Sequence, residues 1–232
     1  MKLALIGYGA MGKLVANLAG AAGDEIGLTV TSRDTALDAA QLAVSLHGHD
    51  AAMDFSVGSA VLRNIEACAR AGVALVEGTT GWQDKEAEAR RLIEDHKGAL
   101  VYAANFSIGV NVFYRIVSQA ARLMAGLDQY QAFMEEEHHA GKRDAPSGTA
   151  LKLRDLMAEH IRTEIPIASV RAGHIPGTHR VGFDSNADQI ILTHMARSRE
   201  GFAAGALLAA RWIVGRKGVY EFGEVMNEIL EK

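Results

Sequence analysis

The sequence predicts an α/β fold, a doubly wound parallel sheet, joined to a second domain of α+β type. Short apolar, strand-like runs alternate with helical stretches over residues 1–107. A glycine-rich turn, Gly7-Tyr8-Gly9-Ala10-Met11-Gly12, follows the first of those runs at once. Beyond residue 128 the alternation gives way to successive strand-like runs with helices to one side. The expected boundaries are residues 1–107 plus 215–232 for a dinucleotide-binding domain and 108–214 for a substrate-binding and oligomerisation domain.

Residues 2–6 read as a buried strand, and Leu14, Val15 and Leu18 recur at helical spacing after the turn. Strand, tight turn and helix are the setting in which a GxGxxG has meaning. Gly7 permits the turn, Gly9 lets the backbone approach a pyrophosphate, and Gly12 lets helix and strand pack closely. The helix amino terminus offers N–H groups and a favourable dipole to the phosphates. Packing alone also produces such turns; the position at the head of a strand–helix alternation favours a dinucleotide.

The second strand, residues 26–31, runs into Thr31-Ser32-Arg33, with Asp34 only after the arginine. An NAD site usually carries an acid at that tip. Hydroxyls and a guanidinium suit a 2′-phosphate instead. NADPH is therefore the expected cofactor, with NADH use left open; a solvated Arg33 is the competing reading.

Strands follow at 51–55, 74–76 and 100–104, with helices at 57–71 and 82–96 between them. Ligands of such sheets sit beyond the carboxyl ends of the strands. By that rule Gly7, Tyr8, Gly9, Ala10, Met11 and Gly12 share one crevice with Ser32, Arg33, Gly78, Thr79, Thr80, Ala103, Ala104, Asn105 and Phe106. Gly78 and Thr80 are expected at the nicotinamide, with Phe106 shielding its ring.

In the second half, Val112, Phe113, Ile116, Val117, Ala120 and Met124 make a helical stripe, with Asn105 or Ser107 as cap. Residues 129–137 form a strand, 170–185 a strand–turn–strand, 189–195 a strand and 202–214 a helix. Residues 219–232 read as a helix returning to the first domain.

The run EEEHHAGKRDAPSGTA, residues 135–150, concentrates the chemistry. It holds proton carriers (His138, His139), a cation (Lys142) and a Ser147-Gly148-Thr149 turn that opens a helix. Ser147 is a natural N-cap. The Gly148 and Thr149 amides and the Thr149 hydroxyl can then hold a carboxylate at the helix amino terminus. A solvated loop with a capped helix is the alternative. Adjacent strand residues point to opposite faces, so His138 and His139 share a site only where the strand ends. Neighbouring histidines chelate one ion poorly and Cys68 has no ligand spacing, so no metal is expected.

A net charge of −4 gives no electrostatic reason to expect nucleic acid or an anionic membrane. The single cysteine cannot form an internal disulfide, which suits a reducing cytoplasm. Gly7 and Gly9 interrupt the opening apolar run too early for a signal peptide. The stretch 201–214 contains Arg211 and is too short to span a bilayer.

Nearly end to end, the sequence resembles the 4-hydroxy-tetrahydrodipicolinate reductase (dihydrodipicolinate reductase) family of lysine and diaminopimelate synthesis. The resemblance runs through GYGAMG, DFS at 54–56, EGTTG at 77–81, AANFSIGVNV at 103–112, EEEHHAGKRDAPSGTA, VRAGHIPGTH at 170–179 and LTHMARSREGFAAGA. It implies a Rossmann-type nucleotide domain and an α+β domain that binds a small dicarboxylate cyclic imine and assembles a homotetramer. The implied reaction is loss of water, hydride transfer from NAD(P)H to ring carbon C4, and protonation of the neighbouring carbon. His138 matches the family's proton donor/acceptor and Lys142 its second proton donor. His139, Gly148 and Thr149 match substrate contacts, with Ser147 grouped beside them. A related NADP(H)-dependent reductase of another small dicarboxylate stays open, as does a non-catalytic NADP(H)-binding regulator. The His138/Lys142/Thr149 set counts against the regulator.

Overall fold

In the computed structural model, residues 1–34 and 36–231 are described. The chain folds as two units, Met1–Ile108 with Arg199–Lys232, and Gly109–Ser198. The chain order begins β1 (Lys2–Ile6), α1 (Ala10–Ala21), β2 (Glu25–Val30), α2 (Ala39–Leu46), β3 (Ala51–Asp54) and α3 (Val61–Ala71). It continues with β4 (Ala74–Glu77), α4 (Glu86–Asp95), β5 (Ala99–Tyr102), α5 (Ile108–Met124), β6 (Gln131–His138) and α6 (Gly148–Ala158). The last elements are β7 (Ile167–Arg171), β8 (Thr178–Asp184), β9 (Gln189–Met195), α7 (Glu200–Ile213), β10 (Gly218–Glu221) and α8 (Phe222–Leu230).

The first unit is built on a six-stranded sheet in the order β10-β5-β4-β3-β1-β2, with every pairing parallel. Its central strands are short and buried throughout, as a parallel sheet covered on both faces requires. The order reverses between β1 and β3, and that switch point is where such sheets open a crevice at their carboxyl ends. The turn after β1 and the turn after β3 meet there. A methyl group on Gly7, whose φ is +87°, would lie 2.5 Å from the Phe55 carbonyl oxygen.

Three features differ from the sequence expectation. α2 was not foreseen, although Asp38 and Gln41 form a capping box at its start. α7 belongs to the first unit, not to 108–214: it packs on β3, β4, β5 and α1. Small residues make this possible, because any side chain at Gly205 would collide with the Phe106 carbonyl. Finally, the segment expected as one helix from 219 begins as a strand. β10 runs parallel to β5 at the edge of the sheet before α8 starts; Lys232 lies outside the described residues.

The second unit has a four-stranded mixed sheet, β7-β6-β8-β9. β6 runs parallel to β7 and antiparallel to β8, and β8 antiparallel to β9. Its core joins Phe113, Val117 and Ala121 of α5, Leu153 and Met157 of α6, and Met134, Val181 and Phe183 of the sheet. The expected strand–turn–strand over 170–185 is present, but its first strand starts at Ile167 and pairs with β6. The described helices include none long and apolar enough to cross a membrane.

Candidate functional site

Two sets of chemically equipped residues emerge, one in each unit. In the first, the α1 amino terminus opens on Gly9, which has no side-chain capping hydrogen bond, and no acid stands in the first turn. A methyl group on Gly9 would meet nothing within 4 Å, whereas one on Gly12 would run into the Gly7 carbonyl. Glycine is thus needed at 12 for packing, while at 9 it leaves an open surface of N–H groups for an anion to approach. Tyr8 and Ala10 are exposed and Met11 half-buried beside it. These features fit the pyrophosphate of a dinucleotide.

Beyond β2, Ser32, Arg33 and Asp34 form a short 3-10 turn, with Ser32 and Arg33 exposed. Asp34 Oδ2 accepts hydrogen bonds from the Thr31 N–H at 2.7 Å and the Thr31 hydroxyl at 3.1 Å. Those hydrogen bonds hold its carboxyl below the usual range. The tip is therefore not without an acid, as the linear spacing implied: the turn folds Asp34 back onto the strand end, beside Arg33.

Beyond β4, Gly78 leaves room for the Phe55 ring, which any side chain at 78 would strike. Thr79 is buried with its hydroxyl on Asp54 and Ser56, its N–H on Glu77 and its carbonyl on Trp82, so it braces the turn; Thr80 is exposed. Ala103 donates its N–H to the Glu77 carbonyl at 3.2 Å. Asn105 Oδ1 accepts the Ser107 N–H at 2.8 Å, and Ala104 is exposed. Phe106 corrects an expectation: its ring is buried against Phe222, centroids 4.9 Å apart, so it does not shield a nicotinamide. Its main chain remains at the strand's carboxyl end.

The second set is organised by β6, whose residues alternate between buried and outward positions. Met134, Glu136 and His138 share the buried face. Glu136 stands opposite Ser169 on β7 and His179 on β8. Its Oε1 accepts from Arg171 at 2.7 Å, the Ser169 hydroxyl at 2.8 Å and the Ser147 N–H at 3.0 Å. Burial pushes this carboxyl up, but the donors from Ser147, Arg171 and Ser169 outweigh it and hold it at about 2. Glu136 is ionised at neutral pH.

Its second oxygen, Oε2, lies 3.4 Å from His138 Nδ1 and 3.6 Å from His179 Nε2. The two rings are edge-to-face with centroids 5.1 Å apart. Burial, the main cause, lowers His138; burial and the neighbouring His138 bring His179 down to about 4. Both imidazoles are accordingly neutral at pH 7, and the charge of the carboxylate is met by Arg171 at 2.7 Å.

Ser147 is the N-cap of α6, accepting the Ala150 N–H at 3.2 Å, and its Oγ also lies 3.1 Å from His179 Nε2. Gly148 is exposed and Thr149 half-buried in the first turn that follows. β6 ends at His138 and His139 is half-buried just past it, which meets the condition for the two histidines to share a site. Lys142 pairs with Asp144 at 2.8 Å. His138, Ser147 and Lys142 thus belong to one stretch with a buried carboxylate beneath it.

Glu136, Ser169, Arg171 and His179 were absent from the sequence-derived site. The period-2 spacing of Glu136 and His138 was the signal available for the first of them. The no-metal expectation concerned His138, His139 and Cys68; the fold instead gathers Glu136, His138 and His179, with ligand atoms within 4.8 Å of one another. Arg171 and two further donors occupy Oε1 of that carboxylate, while Oε2 and His138 Nδ1 meet no hydrogen-bond partner among the described residues.

Residues 1–106 match the family model described as dihydrodipicolinate reductase, N-terminus, and residues 109–226 match that described as dihydrodipicolinate reductase, C-terminus. The 4-hydroxy-tetrahydrodipicolinate reductase of Christiangramia forsetii is 35% identical over 243 residues, covering 100% of both chains. That of Archaeoglobus fulgidus is 35% identical over 266 residues, again covering 100% of both. A solved structure of dipicolinate-bound dihydrodipicolinate reductase from Paenisporosarcina sp. TG-14 shares the fold with a TM-score of 0.76 at 22% identity, over 97% of this chain and 99% of that one.

Proposed function

The chain belongs to the dihydrodipicolinate reductase family, and from that premise we propose that it is an NAD(P)H-dependent oxidoreductase that reduces 4-hydroxy-tetrahydrodipicolinate to tetrahydrodipicolinate. One hydride and one proton enter the ring and one water leaves. The observation that carries the reading is His138, a buried neutral imidazole backed by the ionised Glu136 at 3.4 Å, in the segment that also presents Lys142 and the α6 amino terminus.

The reduced nicotinamide, when bound, supplies a hydride to ring carbon C4. The chain's own residues do the rest. Lys142, His139 and the first-turn amides at Gly148 and Thr149 hold the two carboxylates, with Ser147 shaping the turn. His138 takes a proton from solvent onto Nε2, becoming an imidazolium steadied by Glu136, and passes that proton to the carbon beside C4, with Lys142 as second donor. Glu136 and His179 keep the His138 ring oriented, so that Nδ1 faces the carboxylate and Nε2 is the working atom.

On the cofactor side, Gly7, Tyr8, Gly9, Ala10, Met11 and Gly12 cradle the pyrophosphate, and Gly78, Thr79, Thr80, Ala103, Ala104, Asn105 and Phe106 line the nicotinamide side. Ser32 and Arg33 take the 2′-phosphate, which favours NADPH. Asp34, ionised at the same tip, opposes that charge and keeps the preference near tenfold or below, about 1.4 kcal/mol.

The exposed Val170, Ile190, Ile191 and Met195 of β7 and β9 support assembly of the second unit's sheet into a homotetramer. The single, buried Cys68 fits a reducing cytoplasm. The test is oxidation of NADPH at 340 nm on addition of freshly condensed pyruvate and aspartate semialdehyde. Turnover that requires this substrate is expected; nucleotide binding with no turnover would overturn the assignment.

A further inference from the structure

Asp54 and Glu77 end adjacent parallel strands and are paired in register, and both are fully buried. Two carboxylates this close and this dry do not both ionise. Donors divide unequally between them. Asp54 receives Asn64 Nδ2 at 2.6 Å, the Ser56 N–H at 2.8 Å and the Thr79 hydroxyl at 3.3 Å. Glu77 receives the Thr79 N–H at 2.7 Å on Oε1, while its Oε2 is buried and meets no hydrogen-bond donor among the described residues. That unequal division of donors favours the proton on Glu77.

The pair sits under the turn that follows β4. Thr79 is held at every polar atom: its N–H by Glu77, its hydroxyl by Asp54 and the Ser56 N–H, and its carbonyl by Trp82 Nε1 at 2.9 Å. Gly78 donates to the Asp54 carbonyl at 2.9 Å. The Gly78–Thr80 turn is therefore stitched to the Asp54–Ser56 turn through these two acids.

We propose that Glu77, as the neutral acid, is a positioning residue that locks the turn after β4 onto the turn after β3 and so shapes the nicotinamide side of the cofactor crevice. The proposal rests on the cofactor reading given above. Burial and the Asp54 charge hold the Glu77 carboxyl well above its ordinary range, in keeping with it. The titratable neighbours of Glu77 are Asp54 on β3 and Cys68 on α3, whose thiol burial likewise raises. On β5, Tyr102 turns its hydroxyl to Glu86 at 2.9 Å, and the buried residues of α7 over the sheet are apolar or glycine.

Two measurements on the full chain test this. The infrared spectrum at neutral pH is expected to carry a protonated-carboxyl band that Glu77→Gln removes. Fluorescence titration with NADPH is expected to show Glu77→Gln within about twofold of wild type, because its neutral side chain keeps the shape and its carbonyl still accepts from the Thr79 N–H. Glu77→Ala is expected to weaken NADPH binding about tenfold, with the substrate KM at saturating NADPH unchanged. A missing band, or Glu77→Ala binding as tightly as wild type, would overturn the proposal. So would Glu77→Gln as impaired as Glu77→Ala. If wild type bound no nicotinamide nucleotide, the cofactor reading would fail instead, and the infrared arm would still decide the protonation of Glu77.

Discussion

Glu136 Oε2 and His138 Nδ1 approach to 3.4 Å across one buried face of β6, two residues apart on the same strand. A fixed negative charge behind an imidazole sets its tautomer and steadies the positive ring that a proton transfer creates. Glu136→Gln keeps the shape and removes the charge. It is expected to lower kcat about a hundredfold, and His138→Ala by about 10²–10⁴, with NADPH affinity unchanged in both. Lys142→Met is expected to raise the substrate KM as well as lower kcat. Steady-state rates paired with fluorescence titration of the nucleotide check all three. Loss of NADPH binding in any of them would move that side chain out of the proposed role.

Acid should unfold the second unit through this network. His179 titrates at about 4 in the folded chain against an ordinary 6.5. Between those values the unfolded chain binds a proton that the folded chain refuses, so stability is complete above pH 6.5 and falls as pH drops towards 4. Glu136, at about 2 against 4.5, extends the loss below pH 4.5. The His179 contribution is on the order of 2–3 kcal/mol. Urea unfolding across pH 4–7 measures it, and His179→Gln is expected to flatten that limb.

The second and third glycines of the phosphate turn should separate binding from folding. Gly9→Ala places a methyl group in open space and is expected to leave Tm unchanged while weakening nucleotide binding about tenfold. Gly12→Ala drives a methyl group into the Gly7 carbonyl and is expected to cost about 1–3 kcal/mol of stability. Thermal melts with and without NADPH distinguish the pair.

Arg33→Ala is expected to bring the NADPH and NADH Michaelis constants together, changing their ratio about tenfold. Asp34→Asn should shift the ratio the other way, further toward NADPH. An unchanged ratio in Arg33→Ala would place the 2′-phosphate contact elsewhere.

The first unit was legible because its signals are local. Short buried strands, a GxGxxG between strand and helix, and repeated carboxyl-end turns can each be read within about thirty residues. β10 was missed because four residues at a sheet edge carry no period, and its partner β5 lies more than a hundred positions earlier. α7 was recognised as a helix and assigned to the wrong unit, since periodicity reports a face and not what the face meets. Its run of small residues, Gly205 above all, was the unused clue to close packing on the first sheet. His138, Lys142 and the Ser147 cap could be read because they share one segment. His179 and Arg171 could not, because register brings them to Glu136 from two other strands.

That register has a consequence of parity. Along β8, His179 faces Glu136, and the next residue, Arg180, faces Glu135 on the opposite side of the sheet. Adding or deleting one residue at the β6–β8 pairing would exchange the two, since strand side chains alternate sides. A neutral ring beside the carboxylate would become a permanent cation, and the proton carrier next door would lose its negative backing with every ligand-facing residue still in the sequence. Length variation in this unit is therefore tolerable in the loops only where it leaves the odd–even count of β8 intact.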